Sequence, residues 1–124
     1  MLKKKRFALL WVVVVTSLSL VNGSSFSGVK SPIEHADKIV HFLFYFVMQL
    51  LFCYTLIKKP RPVKYVIVFF ITVFYGMVIE VLQSEFTSTR SGDKLDLLAN
   101  TLGALTALLF VVFLHRKKFY KSKE

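Results

Sequence analysis

The chain has little of what usually shapes a soluble domain. Its 124 residues include a single cysteine, three prolines, five glycines and only seven acidic residues. One cysteine excludes an intramolecular disulfide, and the position of Cys53 inside an apolar run predicts a buried thiol. The seven acids face seventeen basic residues, which gives a net charge of +10. Apolar residues are abundant: they make up 55% of the chain, above the roughly 45–50% of soluble domains.

The apolar residues come in four long blocks rather than in amphipathic stripes. The blocks cover residues 7–21, 39–57, 63–82 and 95–114. A helix needs about 20 apolar residues to cross the roughly 30 Å hydrocarbon layer, and the last three blocks reach that length. The sequence therefore predicts one all-α membrane domain over residues 1–124, a bundle of four antiparallel transmembrane helices with short loops. Their expected bounds are about 7–24, 39–57, 63–82 and 95–114.

Basic residues concentrate on one side of this arrangement. Four precede the first block, four lie around the turn between the second and third, and five follow the fourth, which is thirteen of the seventeen. Cytoplasmic loops retain Lys and Arg, so both termini are predicted to be cytoplasmic. The predicted partner for this charge is the anionic headgroup layer of the bilayer, not nucleic acid.

The first 23 residues fit two interpretations. A basic start, an apolar run and small residues around Gly23 are typical of a cleaved signal peptide. A retained first helix has the same features. The charge distribution does not decide between them, because the last two helices keep basic flanks in either case.

Polar residues recur at one depth in three of the predicted helices. They are Asp37, His41 and Tyr45 on the second helix, Gly76, Glu80 and Gln83 on the third, and Asp93, Asp96, Asn100 and Gly103 on the fourth. Each set shares one helical face. An ionisable group inside a span is costly unless it faces protein or water. We therefore expect the three stripes to line a shared, partly wet pocket that opens outward, with Arg90 and Lys94 as nearby cations.

These residues also have structural interpretations. Asp93 and Asp96 are spaced like an N-cap and its N3 partner, and acids in a first turn suit the helix dipole. Tyr45 fits an interfacial aromatic residue. His41 fits a structural histidine or, oriented by Asp37 one turn away, an acid–base group or a metal ligand. No compact ligand motif is present, so the sequence predicts neither a metal nor a cofactor.

Two segments resemble the VanZ-like family of bacterial membrane proteins, namely DKIVHFLFYFV at 37–47 and GMVIEVLQSEFTSTRSGDKLDLLANTLGAL at 76–105. The matching positions are Asp37, Lys38, His41, Phe42, Tyr45, Gly76, Glu80, Gln83, Arg90, Asp96, Ala99, Asn100 and Gly103. SLSLV at 17–21 resembles the end of the family's first helix, which favours retention of that helix. The resemblance implies a small multi-pass protein of the bacterial inner membrane. The founding member is associated with raised resistance to the lipoglycopeptide teicoplanin, and no reaction is assigned to the family.

The sequence thus predicts a cell-envelope protein whose pocket binds an amphipathic ligand. A lipid headgroup, a cell-wall precursor and a lipoglycopeptide such as teicoplanin are the expected classes, with antibiotic tolerance as a consequence. The predicted ligand-binding residues are Asp37, Lys38, His41, Tyr45, Glu80, Gln83, Arg90, Asp96 and Asn100.

Three alternatives stay open. In one, the protein is a membrane-embedded enzyme in which His41 acts with Asp96 or Glu80. No nucleophile motif such as Gly-x-Ser-x-Gly is present, which favours binding over catalysis. In another, the protein is a small transporter whose intramembrane acids bind protons or cations. In the third, the polar groups only fasten the bundle.

Overall fold

Four α-helices make up the fold in the computed structural model, which describes residues 2–21, 36–86 and 94–121. They are α1 (Leu2–Leu20), α2 (Ala36–Leu56), α3 (Pro62–Phe86) and α4 (Lys94–Lys121). The predicted all-α fold is confirmed. The helices depart from the apolar blocks mainly at their ends, where α1 begins at Leu2 and α4 continues to Lys121. Lys and Arg are strong helix formers, so a helix continues beyond the apolar residues that cross the membrane.

Three of the four helices have the length and composition of membrane spans. They are α2, α3 and the stretch Lys94–Lys118 of α4. The first turns of α1 are occupied by Lys3, Lys4, Lys5 and Arg6, so its 19 residues hold only a short apolar segment. The described part of the chain therefore contains three helices that fit membrane spans, as a membrane protein requires, and a full crossing by α1 remains a prediction. Large apolar side chains face outward along the spans, as Phe70, Phe74 and Leu109 do.

Consecutive helices run antiparallel, as predicted from the short connections. The turn between α2 and α3 is short, and Pro62 starts α3 at a position where no backbone N–H is needed. The indole N–H of Trp11 in α1 donates to the carbonyl of Phe44 in α2 at 3.1 Å. Nearer the start of α1, the Lys4 ammonium lies over the Tyr54 ring. These contacts place the beginning of α1 beside the end of α2.

The closest helix packing is between α2 and α4, which run parallel. A Cβ at Gly103 would lie 2.9 Å from the carbonyl carbon of Phe42 and would collide with its oxygen. Small buried side chains continue this surface along α4, at Ala99, Ala104 and Ala107. In a membrane, small residues let helix backbones approach closely. The polar starts of α2 and α4 are brought together by this packing.

Polar groups also join the helices at mid-bundle. The Thr72 hydroxyl of α3 donates to Gln49 Oε1 of α2 at 2.8 Å, and both side chains are fully buried. Apolar clusters lie on either side, one around Val15 and Met48 and the other around Val68. Cys53 is buried in the second cluster, as predicted. We call the end of the bundle where α2 and α4 begin the carboxylate end, and the end where α3 begins the basic end.

Candidate functional site

The carboxylate end holds a group of buried and half-buried charged and polar side chains on three helices. We call this group the polar cluster; it consists of Lys38 and His41 on α2, Glu80 on α3, and Asp96 and Asn100 on α4. The His41 and Glu80 side chains are 7% and 9% exposed, and Lys38 and Asp96 are 19% and 14% exposed. Four ionisable groups are thus largely withdrawn from water where three membrane-length helices meet.

Lys38 joins α2 to α4 through two carboxylates. Its ammonium forms an ion pair with Asp96 Oδ1 and lies 3.0 Å from Asp37 Oδ2. The Asp37 side chain is 51% exposed, so it lies at the rim of the polar cluster. The sequence analysis named Asp37 as the residue that could orient His41. The structure shows a different pairing, because Asp37 contacts Lys38 instead.

The residue that orients His41 is Asn100, not Asp37. His41 Nδ1 lies 3.0 Å from Asn100 Oδ1, and Asn100 Nδ2 lies 3.4 Å from Glu80 Oε1. A carboxylate only accepts hydrogen bonds, so the Asn100 amide directs its NH₂ to Glu80 and its oxygen to His41. The Nδ1–H group of His41 therefore donates a hydrogen bond to Asn100 Oδ1.

The other ring nitrogen of His41 faces a carboxylate. His41 Nε2 lies 3.7 Å from Asp96 Oδ2, and Nδ1 lies 4.0 Å from Glu80 Oε1. One ligand atom from each of His41, Glu80 and Asp96 lies within 4.8 Å of the other two. Their arrangement allows a proton or a cation to be shared among the three side chains.

Tyr45 lies one helical turn from His41 and is fully buried. Its hydroxyl has no hydrogen-bond partner among the residues that the structure describes. A Cβ at Gly76 would lie 2.9 Å from the Tyr45 ring and 3.5 Å from Asn100 Nδ2. Gly76 thus lets the phenol pack close to the Asn100 amide, and Tyr45 is an interior residue rather than an interfacial aromatic.

Gln83 shares the buried face of α3 with Glu80 but serves another contact. Its amide donates to the carbonyl of Ser19 at 2.6 Å, which ties α3 to α1. Two other residues of the sequence analysis, Arg90 and Asp93, lie outside the described residues. The outward opening of the pocket also stays a prediction, because the connections 22–35 and 87–93 at this end lie outside the described residues.

The Gln49–Thr72 pair was missed by the sequence analysis, although a signal was present. Gln49 lies one turn after Tyr45 on the same face of α2, and Thr72 lies one turn before Gly76 on α3. Extending each polar stripe by four residues would have found both.

The basic end contains a cavity of about 520 Å³. Lys4, Tyr54 and Lys118 are among the residues that line it. His115 lies beside it, with Nδ1 3.5 Å from the hydroxyl of Tyr65, another lining residue. This cavity and the polar cluster are at opposite ends of the bundle.

Comparison with known proteins covers nearly the whole chain. The model of the VanZ/LLP1 family matches residues 3–115, which include every residue of the polar cluster. An uncharacterized protein of the fission yeast Schizosaccharomyces pombe is 28% identical over 122 residues, which are 98% of this chain and 72% of the yeast protein. No solved structure matches the chain significantly.

Proposed function

This chain belongs to the VanZ/LLP1 family, and we propose that it is a membrane-embedded binding protein for the polar headgroup of an amphipathic molecule. The observation that carries the proposal is the polar cluster, with four ionisable side chains largely shielded from water where three membrane-length helices meet. Ionisable residues inside spans are costly, and they usually mark a ligand or ion site.

A purely fastening role explains the polar cluster less well than binding does. The bundle already has a buried hydrogen bond between Thr72 and Gln49 and the close α2–α4 packing at Gly103. Small residues and neutral hydrogen bonds are sufficient to hold helices together in a membrane. Four further ionisable groups add desolvation cost without being needed for that purpose.

The donors and acceptors of the site fit a headgroup that contains a phosphate. Lys38, together with Arg90 from the neighbouring connection, would meet the phosphate oxygens through charge-assisted hydrogen bonds. Asp37, Glu80 and Asp96 would accept hydrogen bonds from hydroxyl or amine groups of the same ligand. The Tyr45 hydroxyl, which has no partner among the described residues, offers one more polar contact.

A lipid headgroup is the ligand class that we favour. The relative from fission yeast aligns over nearly all of this chain, and phospholipids are common to bacterial and fungal membranes. A cell-wall precursor or a lipoglycopeptide such as teicoplanin has the same amphipathic character. Antibiotic tolerance would follow if the protein sequesters such a molecule in a bacterial envelope.

The proposed orientation follows from the basic residues. With both termini in the cytoplasm of a bacterial cell, the basic end faces the anionic inner leaflet. The polar cluster then lies near the outer surface of the inner membrane, where it can meet headgroups of the outer leaflet.

Retention of lipid by the purified protein tests this proposal. Native mass spectrometry of the full chain in mild detergent should show a phosphate-bearing lipid bound to the wild type. Lys38→Gln and Arg90→Ala should each weaken retention by about tenfold or more, because each removes a charge-assisted hydrogen bond. Lys59→Gln is the matched control, since Lys59 is exposed in the turn at the basic end. Equal retention by all four proteins would contradict the proposal.

Catalysis is a second candidate, and the orientation of His41 favours it. Asn100 fixes the ring, and Nε2 faces Asp96 at 3.7 Å, an arrangement in which an imidazole can act as an acid or base. If the protein is an enzyme, the retained lipid should be converted to a product of different mass. His41→Gln should then stop the conversion while retention survives. An unchanged lipid mass after long incubation would leave binding as the function.

A further inference from the structure

We propose that His41, Glu80 and Asp96 bind one divalent metal ion of the zinc type. The inference rests on the proposed function and deepens it, because a metal ion would let a carboxylate-rich cluster hold the phosphate of a headgroup. The sequence alone predicted no metal, since the three residues lie on three different helices and form no compact motif. The fold brings one ligand atom of each within 4.8 Å of the other two.

The donor set is one that zinc commonly uses. An imidazole nitrogen and two carboxylate oxygens are all zinc ligands, at about 2.0–2.2 Å from the ion. Two ligands of one tetrahedral zinc ion therefore lie roughly 3.4 Å apart. His41 Nε2 and Asp96 Oδ2 are 3.7 Å apart, which is too long for a hydrogen bond and close to that spacing. The Glu80 carboxylate of α3 lies 4.0 Å from Nδ1 of the same ring, so its side chain must move toward Nε2 to complete the set.

The tautomer of His41 leaves the required nitrogen available. The Nδ1–H group donates a hydrogen bond to Asn100 Oδ1 at 3.0 Å, which leaves Nε2 as the ring nitrogen that can bind a metal ion. Nε2 faces a carboxylate oxygen of Asp96 at 3.7 Å. A metal ion at this point would be attracted by both atoms.

Two further contacts resemble the outer ligands of known metal sites. Histidine ligands usually donate their second nitrogen to a carbonyl or carboxylate, which fixes the ring; Asn100 does this for His41. Lys38 pairs with Asp96 Oδ1, whereas Oδ2 faces His41. The metal and Lys38 would thus use different oxygens of one carboxylate, so metal binding does not require Lys38 to leave.

Three protein ligands leave one tetrahedral position open. A phosphate oxygen of the headgroup could take that position, next to the Lys38 ammonium. The metal would supply positive charge that offsets the carboxylates of the site, which otherwise repel an anionic ligand. In this arrangement Glu80 and Asp96 bind the metal ion. The phosphate binds both the metal ion and the Lys38 ammonium.

The test measures zinc binding by the full chain in detergent. The protein is first stripped of metal with a chelator, and no lipid is added. We expect one zinc ion per chain and a higher thermal midpoint with Zn²⁺, which the chelator reverses. Glu80→Gln and Asp96→Asn should bind zinc more than about tenfold more weakly. Glu85→Gln and His115→Gln are the matched controls, a glutamate and a histidine outside the cluster, and they should bind like the wild type.

The wild type alone can overturn the inference, whether or not the variants fold. If Zn²⁺ neither binds in a one-to-one ratio nor raises the thermal midpoint, the metal site is wrong. Zinc binding that survives Asp96→Asn but not His115→Gln would also overturn it. Zinc binding without any lipid retention would instead contradict the proposed function. Lipid retention that is unchanged after the chelator would reject the metal–phosphate contact.

Discussion

At the residue scale, Gly103 and Gly76 show how the polar cluster is assembled. Gly103 lets the α4 backbone approach the Phe42 carbonyl of α2, and Gly76 lets the Tyr45 ring lie against α3. A Cβ at Gly103 would meet the backbone of Phe42, which cannot move without moving the helix. A Cβ at Gly76 would meet the edge of the Tyr45 ring, which can shift. Both glycines lie on the faces that carry the cluster residues of their helices.

Replacing these glycines should therefore have unequal effects. Ala is the better helix former by about 1 kcal/mol, but overpacking typically costs about 1–3 kcal/mol. We expect Gly103→Ala to lower the thermal midpoint in detergent clearly and Gly76→Ala to lower it less. A Gly103→Ala protein at least as stable as the wild type would show that α2 and α4 are not in close contact.

At the element scale, α1 differs from the other helices. Its composition falls short of a span, yet it packs against α2 and α3 through the buried side chains of Val15 and Ser19. The Gln83 amide donates to the Ser19 carbonyl, and Trp11 donates to Phe44. These contacts link α1 to α2 and α3, which carry the site. A signal peptide that is removed would not need specific contacts with the mature protein.

We therefore expect α1 to remain part of the mature protein. An epitope tag placed before Met1 should stay on the chain, and intact mass should include residues 2–21 after purification from membranes. Cleavage near Gly23, seen as loss of the tag from a folded C-terminal fragment, would contradict this expectation. Trp11→Phe, which keeps an aromatic ring but loses the hydrogen bond to Phe44, should change the intact mass only by the substitution itself and should not lead to cleavage.

Helix bounds show what an apolar pattern can and cannot predict. The four apolar blocks located α1 to α4, because burial in lipid requires long apolar runs. The ends were less accurate: α3 continues to Phe86 and α4 to Lys121, beyond the last residues of their apolar blocks. Polar helix formers such as Gln and Lys extend a helix without changing the apolar pattern.

At the scale of the whole molecule, basic residues predict how the bundle sits in the membrane. Most of the described basic residues at the ends of the helices gather at the basic end, whereas Lys38 and Lys94 lie at the carboxylate end. We expect reporters fused after Lys123 to be active in the cytoplasm and reporters inserted within 23–30 to be active outside. The reverse pattern at either position would reject the proposed orientation and place the polar cluster on the cytoplasmic side.

Helix partners were less predictable than helix positions. Short connections predict that consecutive helices are neighbours, but the closest pair is α2 and α4, which are not consecutive. The rotation of each helix decides whether Asp96 meets Lys38 or another residue, and a spacing of three or four residues does not fix that rotation. The residues of the polar cluster were therefore foreseeable, whereas the pairing of His41 with Asn100 required the fold.

The central claim is that the polar cluster binds a ligand rather than fastening the helices, and Asp96→Asn separates these roles. In the variant, Lys38 keeps Asp37 as a partner at 3.0 Å, and Asn retains an oxygen that accepts hydrogen bonds. If the ion pair between Lys38 and Asp96 is instead what holds α2 to α4, its loss should lower the amount of folded protein in the membrane.

The most direct measurement is lipid retained per folded chain, determined by native mass spectrometry for the wild type and Asp96→Asn purified side by side. Our account predicts that Asp96→Asn accumulates in the membrane at the wild-type level and retains little or no phosphate-bearing lipid. A variant that accumulates poorly, but whose folded fraction carries as much lipid as the wild type, would contradict it.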